Sequence, residues 1–140
     1  METKTLTVHT DGGSRGNPGP AAIGVVIERD GKLLTEIGEC IGVTTNNVAE
    51  YTAALRALQW IISNPQGETL DVCMCLDSQL VVRQLSGVYK IKDIKMKELA
   101  QQVKKCEGQI HGSVSYMYIP REENSHADRM VNQALDAMMF

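Results

Sequence analysis

This 140-residue chain has no long apolar run, no basic leader segment and no internal repeat. Its apolar stretches all fall short of the ~18 residues that a membrane-spanning helix needs, so we expect no membrane span. Because no Lys/Arg-led apolar segment opens the sequence, we expect no signal peptide and a cytoplasmic location. No low-complexity tract or linker divides the chain. Residues 1–140 are therefore predicted to form a single domain that buries about two thirds of its unfolded surface.

The few cysteines do not have the spacing of a zinc site. The four cysteines are Cys40, Cys73, Cys75 and Cys106. Cys73 and Cys75 lie in an apolar, strand-like run whose alternation places both on one face. Zinc binding is disfavoured because no second ligand pair accompanies them. The preferred interpretation is that the cysteines are small buried hydrophobic side chains in a reducing compartment.

Neither sign of charge dominates the composition. The net charge of −3 at pH 7, taken alone, argues against a nucleic-acid partner. The distribution along the chain argues differently, because residues 83–105 contain seven basic and two acidic side chains and carry a net charge of +5. This basic segment is either a phosphate-contacting surface or a solvated helix face, and the pattern favours neither interpretation.

Apolar periodicity predicts the element order β-β-β-α-β-α-α-β-α. Strands are predicted over Thr5–Thr10, Ala21–Arg29, Lys32–Ile41, Leu70–Leu76 and Ser113–Ile119. Helices are predicted over Asn46–Ser63, from Asp77 to about Leu85, over Ile94–Cys106, and beyond Asn124 or Ser125 as N-cap. Right-handed crossovers place the last two strands parallel to the first. The expected fold is α/β, with a five-stranded mixed sheet whose first three strands are antiparallel and whose faces carry helices.

Four acidic residues occupy four recognisable settings in this pattern. Asp11 and Asp77 each end a predicted strand, and Glu50 and Asp128 each lie in the first turns of a predicted helix. Ligand sites gather at the carboxyl ends of strands in such sheets, so all four side chains can meet at one edge. Converging carboxylates repel one another unless hard divalent cations lie between them. The sequence therefore predicts a metal-dependent enzyme.

At these positions the chain resembles the type 1 ribonuclease H family over nearly its full length. The resemblance rests on the blocks TDGGSRGNPGP (Thr10–Pro20), TTNNVAEY (Thr44–Tyr51), DSQ (Asp77–Gln79) and NSHAD (Asn124–Asp128). It implies a ribonuclease H-like fold and endonucleolytic hydrolysis of the RNA strand of RNA/DNA hybrids. It also implies a two-metal mechanism with Mg²⁺ or Mn²⁺ that leaves 5′-phosphate and 3′-hydroxyl ends. The expected partner is the hybrid, no membrane is involved, and the protein is expected to be a monomer.

The resemblance also assigns roles to individual residues. The metal-binding catalytic residues would be Asp11, Glu50, Asp77 and Asp128. The substrate-binding residues would be Gly12, Gly13, Ser14, Asn17, Thr45, Asn46, Asn47, Gln79, Tyr89 and Lys90. Asn17 and Thr45 match a pocket for a DNA-strand phosphate, and the glycines let backbone N–H groups approach ribose hydroxyls. Two of these assignments stay open. Asn47 could instead cap its helix. Tyr89 could stack on a sugar of the DNA strand or make no such contact.

Two departures from the family pattern affect the expected site. Many members carry a basic protrusion, but here only Gly87–Asp93 spans that interval. We hypothesise that a lysine cluster, made of Lys90, Lys92, Lys95 and Lys97, compensates in part. Many members also have a loop histidine before the last carboxylate, and Arg121 is our candidate substitute for it. His126 is the alternative, but it lies inside the predicted helix start.

Two other functions remain compatible with the sequence. A binding module on the same fold would hold a hybrid or double-stranded RNA without cutting it, although such a module has no need for four repelling carboxylates. An enzyme of the same fold could instead act on branched DNA or double-stranded RNA. Metal-dependent turnover and a comparison of substrates would separate these possibilities.

Overall fold

The computed structural model describes residues 3–138 and shows one mixed sheet with helices on both faces. The strands are β1 (Thr3–Ser14), β2 (Gly19–Arg29), β3 (Lys32–Thr44), β4 (Thr69–Leu76) and β5 (Gly112–Tyr118). The helices are α1 (Asn46–Ser63), α2 (Gln79–Leu85), α3 (Ile94–Gln109) and α4 (Ser125–Met138), and a 3₁₀ turn at Arg121–Asn124 precedes α4. The strand order is β3-β2-β1-β4-β5, with β1–β3 antiparallel and β4 and β5 parallel to β1. The predicted element order and fold class are confirmed.

The first strand is longer than the alternation of its side chains indicates. β1 continues past Asp11 and stays paired with β2 as far as Ser14, which lies opposite Ala21. The prediction that the strand ends at Asp11 is therefore wrong on this side, because the glycines after it have no side chains to reveal the pairing. On the other side, the parallel ladder with β4 ends at Thr10, opposite Leu76. Asp11 and Asp77 thus leave this ladder at the same level.

The main core lies between the sheet and helices α1 to α3, and a smaller core lies under α4. The apolar spacing of α3 predicts a buried stripe, and the structure buries it: Met96, Leu99, Ala100 and Val103. In α1 the same spacing selects Ile62, but the buried isoleucine is Ile61, and Trp60 packs against the main core. In α4, Ala127, Val131 and Leu135 are buried, whereas Met138, which the apolar spacing places on the same stripe, is exposed. The next methionine in the chain, Met139, lies outside the described residues.

Hydroxyl side chains cap two of the helices, which settles the open alternative that Asn47 caps α1. Thr45 Oγ1 accepts a hydrogen bond from the Val48 N–H at the start of α1, so Asn47 is not the cap. Ser78 caps α2 in the same way, which leaves Asp77 without a capping role. Both caps satisfy N–H groups that a helix start leaves unpaired. The polar neighbours of these caps are therefore available for other contacts.

Across residues 3–138, no helix is long and apolar enough to cross a membrane. The four cysteines are free thiols, with Cys75 buried and the others partly buried. Cys73 and Cys75 share a face of β4, as predicted, and their sulfur atoms lie 4.0 Å apart. Over the same described range, the one group of side chains close enough to hold a metal ion contains carboxylates alone.

Candidate active site

Three of the predicted carboxylates meet at one edge of the sheet. Asp11, Glu50 and Asp77 each place a carboxylate oxygen within 4.8 Å of the other two. Asp11 and Glu50 are both only 8% exposed, and Asp77 is partly buried. These residues come from β1, α1 and the end of β4, so the group exists only in the folded chain. The predicted convergence of these three side chains is confirmed.

Two glycines without room for a side chain bring the helices close enough to form the site. A Cβ at Gly12 would lie 2.2 Å from the carbonyl carbon of Ala49, so α1 rests directly on the backbone of β1 beside Glu50. On the opposite face, a Cβ at Gly24 would lie 2.1 Å from the carbonyl oxygen of Ala127 in α4. Gly24 pairs with Asp11 in the sheet. Because both helices contact the sheet backbone at these glycines, Glu50 of α1 and Asp128 of α4 lie close to Asp11.

The fourth carboxylate, Asp128, lies next to this group but not within it. It lines one pocket with Asp11 and contributes to the raised pKa of that residue. Asp128 is partly buried, and the side-chain N–H of Asn132 donates to its Oδ2 at 3.3 Å. The structure therefore places Asp128 at the margin of the site, beside Asp11.

The electrostatics of the site show an excess of negative charge. Burial, followed by the charges of Asp77 and Asp128, raises the pKa of Asp11 to about 8. Burial, followed by Asp11 and Asp77, raises the pKa of Glu50 well above its ordinary value, while Arg121 and the Gly12 N–H oppose this shift. Glu50 Oε2 is also buried without a hydrogen-bond partner among the described residues. A bound cation would relieve each of these unfavourable features.

A buried asparagine connects β1 to Asp77 at the edge of the sheet where the carboxylates meet. Asn124 is 1% exposed, and its Nδ2 donates to the Thr10 carbonyl oxygen at 2.9 Å and to Asp77 Oδ2 at 3.0 Å. Asn124, one of the two residues predicted as the cap of α4, lies in the 3₁₀ turn before that helix, and its Oδ1 has no hydrogen-bond partner among the described residues, so it does not cap the helix. Asn124 belongs to the sequence block used for the resemblance, but its spacing alone does not reveal the contact with Asp77. The contact fixes one oxygen of a candidate metal ligand.

The structure separates the two candidates for the missing loop histidine. Arg121 lines a pocket of about 340 Å³ together with Asp11, Glu50 and Asp128. The His126 ring is directed to β3, where its Nε2 lies 2.5 Å from Glu36 Oε2. Of the two candidates, Arg121 is therefore the one at the acidic site, in a pocket that Arg15 also lines.

The polar residues expected to bind substrate form a connected group beside the carboxylates. The Ser14 backbone N–H donates to Asn46 Oδ1 at 2.8 Å, and the Asn46 backbone N–H donates to Asn17 Oδ1 at 3.0 Å. Asn17, Thr45, Asn46 and Asn47 also line a second pocket of about 570 Å³, together with Lys95. Gly12, Gly13 and Ser14 line the pocket of the carboxylates. Most of the predicted substrate-binding residues therefore belong to one continuous surface.

Gln79, Tyr89 and Lys90 line neither of these two pockets and are exposed. The Tyr89 hydroxyl accepts a hydrogen bond from Arg83 Nη1 at 2.6 Å, and the Arg83 guanidinium carbon lies 5.3 Å from the ring centroid. Within the basic segment, the Lys104 ammonium donates to the Leu85 carbonyl and pairs with Glu107, so this lysine has a structural role. All four side chains of the lysine cluster are exposed, whereas the neighbouring Ile91 is partly buried.

A mixed sheet with carboxylates that converge where the β1–β4 ladder ends defines an α/β fold with a candidate metal site. A family model described as RNase H matches residues 3–136. The chain belongs to the RNase H family.

Known proteins with similar sequences and structures cover most of the chain. The bifunctional protein Rv2228c of Mycobacterium tuberculosis is 38% identical over 134 residues, which are 94% of this chain and 36% of that protein. The ribonuclease HI of Halobacterium salinarum is 39% identical over 129 residues, covering 90% of this chain and 62% of that protein. The crystal structure of LC11-RNase H1 in complex with an RNA/DNA hybrid matches with a TM-score of 0.91 and 42% identity, covering 96% of this chain and 99% of that chain. The chain thus spans about a third of the length of the first of these relatives.

Proposed function

We propose that this protein is an endonuclease that hydrolyses the RNA strand of RNA/DNA hybrids and leaves 5′-phosphate and 3′-hydroxyl ends. The observation that carries the proposal is the group formed by Asp11, Glu50 and Asp77, whose oxygens lie within 4.8 Å of one another in an RNase H fold. Similarity to LC11-RNase H1, which was crystallised with a hybrid, supports this substrate. That the protein acts as a monomer in the cytoplasm stays a prediction.

The residues present fit a divalent metal centre. All donors are carboxylate oxygens, which Mg²⁺ and Mn²⁺ prefer, and burial together with the neighbouring carboxylates raises the pKa values of Asp11 and Glu50. We propose that these two residues and Asp77 hold the metal, and that Asp128 completes a site for two ions. When bound, the ions would polarise the scissile phosphate and lower the pKa of the attacking water.

The chain's own groups would bind and orient the hybrid around this centre. The Gly12 N–H opposes the rise in the pKa of both Asp11 and Glu50, so it favours their charged forms. The polar group of Ser14, Asn17 and Asn46 offers short donors and acceptors for ribose and phosphate, and contacts to the 2′-hydroxyl would select RNA. Arg121, placed in the carboxylate pocket, would stabilise negative charge on the phosphate.

Cleavage of a hybrid labelled on its RNA strand tests this function directly. The reaction would be run with Mg²⁺, with Mn²⁺ and with chelator, beside duplex DNA and double-stranded RNA. We expect metal-dependent cutting of the RNA in the hybrid alone. Cutting of another duplex in preference to the hybrid would reassign the substrate.

Asp77→Asn provides the matching active-site variant. We expect it to abolish cleavage and leave hybrid binding largely intact, because it removes one charge from the metal site and keeps the shape of the side chain. A variant that still cleaves would remove Asp77 from the site. If the unaltered protein is folded, binds the hybrid and does not cut it under any metal condition, the proposal fails and a binding module replaces it.

A further inference from the structure

The loop that follows α2 is fastened to two consecutive residues of that helix. The Gly87 N–H donates to the Gln84 carbonyl oxygen at 3.1 Å. The N–H groups of Val88 and Tyr89 both donate to the Arg83 carbonyl oxygen, at 2.8 and 3.1 Å. Gly87 has a φ of +83°, which allows the chain to reverse direction at the helix end. The loop over residues 86–93 is therefore ordered by the end of α2 and carries exposed Tyr89 and Lys90.

The Gln84 side chain adds a link between this loop and α1. Its Oε1 accepts a hydrogen bond from the Tyr51 hydroxyl at 2.6 Å, and its Nε2 donates to the Lys90 carbonyl oxygen at 3.3 Å. Gln84 is 8% exposed, so burying its amide is tolerable because both ends of the amide have partners. An apolar side chain at this position would leave the buried Tyr51 hydroxyl without this partner, so the amide both satisfies Tyr51 and joins α1 to the loop.

Tyr51 connects the link to the candidate active site. It is fully buried in α1 and directly follows Glu50 in the chain. Glu50, a candidate metal ligand, is therefore connected to the loop. The connection consists of the peptide bond from Glu50 to Tyr51 and the two hydrogen bonds of the Gln84 amide, one to Tyr51 and one to Lys90. A loop held only by α2 could tilt relative to α1, whereas the amide of Gln84 fixes its distance from that helix.

We propose that Gln84 is a positioning residue, which holds the loop over residues 86–93 at a fixed distance from the metal-binding helix so that Tyr89 and Lys90 meet the hybrid while its RNA strand lies at the carboxylates. This inference rests on the proposed function, in particular on the assignment of Tyr89 and Lys90 to substrate binding. It adds a residue that touches neither substrate nor metal. With the loop held in this way, a short ordered segment supplies part of the hybrid binding that a longer basic protrusion would supply.

The test compares Gln84→Met with Tyr51→Phe and with a matched control. Gln84→Met keeps the length of the side chain and removes both hydrogen bonds, while Tyr51→Phe removes only the bond to α1. Gln59→Met makes the same chemical change at an exposed position of α1. Each protein is measured for amide hydrogen exchange without substrate, and for kcat and KM on a labelled hybrid with Mg²⁺.

We expect Gln84→Met to accelerate exchange in residues 86–93, to leave exchange in α1 unchanged, and to raise KM about three- to tenfold at nearly constant kcat. That range corresponds to the removal of a typical net hydrogen bond. Tyr51→Phe should raise KM about two- to threefold, because Gln84 keeps its bond to Lys90. Gln59→Met should match the unaltered protein. If Gln84→Met does not fold, Tyr51→Phe decides the question by the same readouts.

Unchanged loop exchange and unchanged KM in a folded, active variant would overturn the positioning role. A fall in kcat with constant KM, or faster exchange throughout the protein, would also overturn it, because either result describes a general structural role. Failure of the unaltered protein to cleave the hybrid would instead refute the proposed function and, with it, the role of Gln84. The two failures are therefore distinguished by the behaviour of the unaltered protein.

Discussion

Replacing Asp11 with asparagine is expected to stabilise the metal-free protein at neutral pH while removing its response to divalent metal. The reason is the raised pKa of Asp11, which burial and then Asp77 and Asp128 lift from 3.8 to about 8. The folded protein therefore retains a proton that the unfolded chain releases as the pH rises above about 4. Stability of the metal-free protein falls across this window, from about pH 4 to about pH 8.

The size of the effect follows from the same shift. Each pH unit between the two pKa values is worth about 1.4 kcal/mol, so the loss at pH 7 has a ceiling of about 4 kcal/mol. The pocket admits water to the carboxylates, and we therefore expect Asp11→Asn to recover about 1–3 kcal/mol at pH 7. At pH 5 the ceiling is about 1.6 kcal/mol, so the gain should be less than half as large.

Urea unfolding followed by the fluorescence of Trp60 measures this directly. The proteins would be compared at pH 5, 7 and 8 with chelator, and at pH 7 with Mg²⁺. Magnesium should stabilise the unaltered protein and have little effect on Asp11→Asn, because ligand binding to the folded state alone raises stability. Asp30→Asn is the matched control, since Asp30 is an exposed turn residue with a φ of +51° that asparagine also tolerates. If Asp11→Asn destabilises the metal-free protein at pH 7, or shifts stability equally at pH 5 and pH 8, the electrostatic reasoning is wrong.

Two further changes test how the site is built and how the hybrid is held. Gly12→Ala should cost about 3 kcal/mol in urea unfolding and abolish cleavage, because its Cβ would lie 2.2 Å from the backbone of Ala49. Gly13→Ala is the control, since its Cβ would meet Val131 at an ordinary 3.7 Å, and equal destabilisation of both variants would mean that close packing of α1 is not the cause. Replacing the whole lysine cluster with alanine should weaken hybrid binding and reduce the slope of log K against log salt by about 1 for each phosphate that the variant no longer neutralises. An unchanged slope in a binding titration would identify the cluster as a solvated helix face.

Much of the fold follows from local patterns that neighbouring residues determine. The alternation along β1, the apolar run of β4 and the stripe of α3 each depend on one element meeting one core, so the sequence predicts them correctly. The meeting of Asp11, Glu50 and Asp77 was predictable as well, because parallel strands and right-handed crossovers leave few other arrangements. Their spacing in the chain carries this information without any knowledge of side-chain contacts.

Other features depend on how separate elements approach one another. A glycine within an apolar strand signals some close contact, but only the packed structure shows that Gly24 meets the backbone of α4. The sequence also leaves open whether Arg121 or His126 faces the carboxylates, since a single turn of chain separates them. The 3₁₀ turn and the contact between His126 and Glu36 decide this in the folded protein.

The amino-acid sequence by itself thus determined the element order, the fold class and the acidic residues at the edge of the sheet, because these depend on periodicity and on chain direction. Tertiary structure alone decided the partners of the buried amides, with Asn124 on Asp77 and Gln84 between Tyr51 and Lys90. A buried polar group must find its hydrogen-bond partners wherever packing leaves them, often far along the chain. The spacing of neighbouring residues in the sequence therefore does not predict these hydrogen-bond partners.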